Sequence, residues 1–200
     1  MSDIYYTIKK EGEGLIREKM SRFLSFAIHV ESVDEAMTKV KEFQNRFHDA
    51  RHVCWAYMIG PKRDQWQLND NGEPSGTAGK PILGQINSKG LTDVLVLVVR
   101  YFGGIKLGTS GLIIAYREAA KMALEEAEIV ECHEMKDFNI EFAYEDMDGI
   151  MRVIKAEEVE VVEKYFDNIC RMQLRIREGN YDKVEGMLSG RGARIENIEK

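Results

Sequence analysis

Two stretches of the 200-residue chain gather glycines, hydroxyls and charges: residues 70–81, DNGEPSGTAGKP, and residues 100–111, RYFGGIKLGTSG. In both, a loop rich in Gly, Ser and Thr runs into a helix-forming segment. Free backbone N–H groups at a helix start, with the helix dipole behind them, favour an anion. Lys80, Arg100 and Lys106 add positive charge at the same places. These residue types suggest recognition of an anion or a macromolecule rather than bond making. A plainer account is also open: the glycines serve tight turns, and Ser75, Thr77, Thr109 and Ser110 cap helices.

Known nucleotide and metal loops do not fit. A P-loop would need Gly at position 74 and Ser or Thr after Lys80; Pro74 and Pro81 stand there instead. A dinucleotide fingerprint needs G-x-G-x-x-G, whereas Gly104, Gly108 and Gly111 are spaced by four and three. Aligning Asn69, Asn71 and Gly72 on a calcium loop puts Gln67 first and Ala78 twelfth, so both essential carboxylates are missing. For nucleophilic catalysis, Cys54 lies two residues from His52 and shares its strand face, but neither sits in a recognisable elbow. His29, His48, His52 and His133 follow no metal-ligand spacing. Buried cysteines are the simpler reading, and no catalytic residue, metal ligand or cofactor is assigned.

These loops need elements to hold them. Residues 5–10 and 14–20 read as strands about a turn at Glu11–Gly14, and 22–30 alternates as a third strand. Ser32 and Glu35 form a capping box ahead of an amphipathic helix over 33–47. Residues 52–60 read as a strand, 62–72 as a polar and mobile connection, and 77–88 as a helix with Pro81 tolerable in its first turn. The run Val94–Val99 is apolar on both faces, which places it inside a sheet. A long helix spans 110–128 and a strand 129–134. From about 137 the pattern becomes β-α-β-β-α-β, a ferredoxin-like arrangement. Its outward positions alternate acids (Asp137, Glu141) with bases (Arg171, Arg175, Arg177), predicting cross-strand ion pairs rather than base stacking on aromatics. The chain therefore reads as α+β, with one domain over 1–135 and a ferredoxin-like domain over 136–200.

Composition limits the function classes. Formal net charge is −6, which argues against a protein that coats nucleic acid. The charge is uneven: residues 51–121 carry nine Lys/Arg against five Asp/Glu, whereas 136–200 carry eleven against fifteen. Both glycine-rich blocks sit in the basic part. Three widely spaced cysteines with no C-x-x-C point to reduced thiols in a cytoplasm. No signal peptide is visible, and no apolar run approaches the ~20 residues that span a bilayer.

The residues SRF at 21–23, DARHVCWAY at 49–57, DNGEPSGTAGKPIL at 70–83 and VLVVRYFGGIKLGTSGLIIAYREA at 96–119 closely resemble the YigZ/IMPACT family. The resemblance covers the order of the whole first domain. It implies a ribosomal-protein-like fold similar to domain IV of elongation factor G, followed by a domain similar to that factor's domain V. One departure is Ser110, where the family often has glycine. Eukaryotic members regulate translation by binding an activator of an initiation-factor kinase, through a further N-terminal domain that is not among these residues. The similarity to translation-factor domains implies contact with RNA, the ribosome or a translation-regulatory protein.

The expected function is thus a non-enzymatic, cytoplasmic, translation-linked binding protein. Its surface would comprise Arg51, His52, Asp70, Glu73, Ser75, Thr77, Lys80, Arg100, Tyr101, Gly103, Gly104, Lys106 and Thr109. The alternative is an enzyme acting on a small phosphorylated or nucleotide-like ligand in the same cleft. The two blocks are expected to be neighbours in space. Oligomeric state is left open.

Overall fold

The computed structural model describes residues 3–198. Residues 5–132 form one compact unit, and the residues from 133 onward, joined by those up to Ile4, form another. The first contains β1 (Ile4–Lys10), β2 (Gly12–Glu18), β3 (Ser21–His29), α1 (Val33–Arg46), β4 (His52–Ile59), β5 (Gln65–Asn69), α2 (Gly79–Ser88), β6 (Val94–Tyr101), α3 (Gly108–Glu126) and β7 (Glu128–His133).

Its main sheet has the order β2-β3-β6-β4-β5, with neighbours antiparallel. The continuous apolar run of β6 makes it the central strand, as expected for a segment buried on both faces. Val94, Val96 and Val98 pack with Ile82 and Ile86 of α2 and Tyr116, Ala119 and Ala123 of α3. Leu95, Leu97 and Val99 face Phe26, Trp55 and Tyr57, under Ala36 and Val40 of α1. The sheet is thus covered by α1 on one side and by α2 with α3 on the other. Ser32 caps α1 by accepting from the Glu35 N–H, while the Glu35 carboxylate accepts from the Glu31 N–H. The capping box closes one residue earlier than its usual form.

Two expectations are corrected. No turn joins β1 to β2: β1 pairs with β7 in a separate two-stranded sheet, and β2 pairs with β3. Gly12 and Gly14 instead let β2 lie against α3. A Cβ at Gly12 would overlap the Ala123 carbonyl, and one at Gly14 would come within 2.8 Å of Met122 Cγ. The polar segment at 62–72 is also no loose connection, since residues 65–69 add an edge strand to β4. Trp66 is 56% exposed and four of the five residues face solvent, so no apolar alternation marks this strand.

The second unit contains β8 (Met135–Phe142), α4 (Met147–Ala156), β9 (Glu160–Phe166), β10 (Cys170–Arg177), α5 (Tyr181–Ser189) and β11 (Arg194–Asn197). Its sheet order, β11-β8-β10-β9, is that of a ferredoxin-like fold. Phe138, Ile140, Leu174 and Ile176 meet Ile150, Ile154, Val184 and Leu188 in its core. On the other face Arg171 pairs with Glu141 at 2.9 Å and Arg175 with Asp137 at 2.6 Å, the cross-strand pairing that the alternation predicts. Arg177 pairs with Asp3 instead. The molecule is α+β throughout.

Candidate functional site

The two glycine-rich blocks meet through a buried charge network. Antiparallel pairing sets His52 of β4 beside Arg100 of β6, with Phe23 of β3 on the other flank. Glu73 reaches into this position from the loop after β5. Its Oε1 accepts from Arg100 Nη1 at 2.7 Å and from the Tyr116 hydroxyl of α3 at 2.8 Å. Both charged side chains are nearly sealed, at 4% exposure for Glu73 and 6% for Arg100. His52 Nε2 lies 3.8 Å from the same oxygen. Its Nδ1 is 2.8 Å from the Asn71 carbonyl, which can only accept, so Nδ1 carries a proton. Arg100 also lies over the rings of Phe23 and Phe102, at 5.5 and 5.4 Å from their centroids.

Asp70 organises the rest of its block. Its Oδ1 accepts from the N–H groups of Ala78 and Gly79, at 3.0 and 2.8 Å, and its Oδ2 from Gly76 at 2.8 Å. A carboxylate of the protein itself thereby fills the place an anion would take at the start of α2. Gly79 is required for close packing, since an added Cβ would sit 2.8 Å from Leu68 Cδ1. The hydroxyls do not cap as the sequence suggests. Thr77 is buried and donates to the Pro74 carbonyl at 2.6 Å, and neither α2 nor α3 has a side-chain cap at its N-cap residue. Thr109 and Ser110 lie inside the first turn of α3 rather than ahead of it.

Cys54 lies beneath this network, its thiol 3.0 Å from the Asp70 carbonyl and 3.4 Å from the Tyr116 hydroxyl. Burial pushes both the thiol and the phenol far above their ordinary pKa, so both stay protonated at neutral pH. A thiol held this way is a poor nucleophile. Among the described residues, no three His, Cys, Asp or Glu side chains converge as metal ligands would.

The candidate residues fall into two sets. His52, Asp70, Glu73, Thr77 and Arg100 turn inward. Arg100 is the main departure from expectation: its charge is matched by Glu73 and its guanidinium is covered, so it is not presented to a ligand phosphate. Arg51, Ser75, Lys80, Gly103, Gly104, Lys106 and Thr109 are exposed. Tyr101 is half-buried and donates to Asp49 at 2.9 Å. The loop over 102–107 carries Phe102 and Ile105 into solvent, with Arg51 over the Phe102 ring. A Cβ at Gly103 would overlap the Met20 carbonyl, and Gly104 has φ +91°, so both glycines are demanded by this loop's path.

Between α2 and α3 lies an open groove of about 360 Å³, bordered by Gly76, Lys80, Gly84, Gln85, Ile113 and Arg117. Arg117 is absent from the sequence-derived set, since it sits in mid-helix outside the glycine-rich block. Its exposed position on α3, a turn beyond Ile113, was the available signal. A larger concavity of about 550 Å³ covers the open sheet face of the second unit. Arg171 and Glu141 are paired on that face, and its charges are mixed. No helix among the described residues is long and apolar enough to cross a membrane.

Comparison with known proteins places these features in a family. The model of the Impact N-terminal domain matches residues 19–124, which include both blocks and the Glu73–Arg100 pair. The chain is 37% identical over 134 residues to the IMPACT family member YigZ of Escherichia coli, a match spanning 66% of each chain. It is 32% identical over 173 residues to an IMPACT family member of Haemophilus influenzae, covering 86% of this chain and 84% of that one. A Saccharomyces cerevisiae protein, Protein IMPACT homolog, is 32% identical over 98 residues, 46% of this chain and 37% of its own. A crystal structure described as that of a hypothetical protein superposes over the full length of both chains, with a TM-score of 0.74 at 26% identity. With the family's domain matched over both glycine-rich blocks and a relative aligned over most of both chains, this protein belongs to the IMPACT family.

Proposed function

We propose that the protein is a non-enzymatic, cytoplasmic binding protein linked to translation, contacting RNA, the ribosome or a translation-associated protein. The observation that carries this reading is where the reactive groups of the two blocks go. Glu73 bonds to Arg100 and Tyr116 inside the fold, Asp70 is engaged by backbone N–H groups, and the Cys54 thiol and Tyr116 phenol are held protonated. Acid–base or nucleophilic work needs such groups free and near neutral pKa. What faces solvent is an open surface of cations, glycines and loop apolar groups: Arg51, Ser75, Lys80, Tyr101, Phe102, Gly103, Gly104, Lys106 and Thr109. The buried set, with His52 and Thr77, would hold the two blocks in register beneath it.

Co-purification of the tagged protein from cells, with and without ribonuclease, tests the reading. Ribosomal or translation-factor proteins are expected to be enriched, and loss of that enrichment with ribonuclease assigns the contact to RNA. Turnover of a phosphorylated or nucleotide-like compound by the purified protein, abolished in Glu73→Gln, would overturn it.

A further inference from the structure

We infer that the groove between α2 and α3 is a phosphate-binding site, with Lys80 and Arg117 as its two cations and Gln85 in the same lining; this rests on the binding-protein reading above. Lys80 lines the groove from the first turn of α2, and Arg117 lines it from α3. Both are exposed, and among the described residues neither forms an ion pair. No carboxylate borders the groove. The carboxylate of Asp70 is engaged by the N–H groups of Gly76, Ala78 and Gly79, and Asp70 is not among the residues that border the groove. Two cations lining one groove attract an anion placed between the helices.

Gly84 is the independent observation. It stands in the middle of a ten-residue helix, where glycine is unfavourable relative to alanine. Packing does not require it, because a Cβ built there meets no atom within 4 Å. Nor does the backbone, since Gly84 is not among the residues with positive φ. A costly glycine with open space over it, on the floor of a cationic groove, fits a ligand that must approach the helix closely. Gly76, at φ +77°, extends the same bare wall. The groove's volume lies at the low end of small-ligand sites, and its open form suits a phosphate carried on a chain or a small phosphorylated compound.

The two sources share one chemistry and are separated by probe. Fluorescence polarisation of a labelled oligouridylate titrated with the full-length protein, at several salt concentrations, is one arm. Competition by inorganic pyrophosphate is the other. Wild type is expected to bind the oligouridylate, and Lys80→Ala with Arg117→Ala to weaken it by on the order of tenfold or more. The double variant should also flatten the log–log salt slope by about 1.4, two contacts at ~0.7 each on a single strand. Gly84→Ala keeps both charges and favours the helix, so it should weaken binding while the thermal midpoint holds or rises. Displacement by pyrophosphate at concentrations well below those at which chloride competes assigns the site to small phosphates; displacement only at matching ionic strength assigns it to the RNA backbone. Oligouridylate binding with the same affinity and slope in the double variant overturns the groove and leaves the binding-protein reading standing. If neither probe binds wild type while ribosomal proteins still co-purify, the phosphate site is again overturned alone; if nothing co-purifies either, both readings fall.

Discussion

Glu73 shows how one carboxylate decides what the site is for. It neutralises Arg100 out of contact with water, and it also accepts the Tyr116 hydroxyl. A buried pair of this kind adds little net stability, but removing one partner strands the other. Glu73→Ala should therefore destabilise the first unit by about 3–5 kcal/mol, measured by urea unfolding. Pairing it with Arg100→Met should recover most of that loss, since an apolar replacement removes the stranded charge along with its partner. A single variant within 1 kcal/mol of wild type (~0.5 kcal/mol being usual for surface changes) would mean the pair is hydrated and the network is not a structural lock. At this scale the sequence was only half legible. The types at 70, 73 and 100 announced a polar cluster, but not that its carboxylates were engaged by the protein's own donors. That depends on pairings between β4, β6 and the loop after β5, which no local pattern carries.

The elements repeat the lesson with different physics. β6, α1 and the ferredoxin-like order of the second unit follow from periodicity, because each buries a continuous apolar face. β5 did not show itself: an edge strand with four of its five residues exposed, and only Leu68 turned to the core, has little apolar alternation to show. The division between β1 and β2 was equally hidden. Their flanking glycines read as a turn, yet Gly12 is there for contact with a helix that begins about a hundred residues later. Gly12→Ala should thus behave as overpacking rather than as a loop substitution. The expected cost is ~1–3 kcal/mol, with amide exchange quickened in β2 and in α3 around Ala123. A neutral result would place Gly12 back in the role of a simple turn residue. Arg117 was missed for a related reason: a groove between two helices is a property of their packing, not of either sequence.

For the whole molecule, Asp3 belongs with the second unit, far from it in sequence. Asp3 accepts two hydrogen bonds from Arg177, at 3.1 and 3.2 Å, and its carbonyl accepts from the Glu134 N–H at 2.6 Å. The Arg177 guanidinium holds the Asp3 carboxyl below its ordinary pKa. A lowered folded pKa stabilises the fold above the ordinary carboxylate value of about 3.9, and the contribution is lost as pH falls through the lowered value. Asp3→Asn should therefore loosen the second unit at neutral pH and differ little from wild type at a pH below that lowered value. Hydrogen exchange resolved by peptide would read it: faster exchange at 134–135 and 177–179, with 52–59 and 94–101 unchanged. An equal effect at both pH values would remove the ion pair from the account.

The same attachment has a consequence for synthesis. Asp3 and Arg177 lie 174 positions apart, so at ~5–20 residues per second the first leaves the ribosome about 9–35 seconds before its partner. The five-stranded sheet can close as soon as residue 101 has emerged. Asp3, meanwhile, can meet the Glu134 N–H only after residue 134 is made, and Arg177 later still. A nascent chain stalled between residues 101 and 134 would carry every strand of the five-stranded sheet while Asp3 still waited for the segment that holds it.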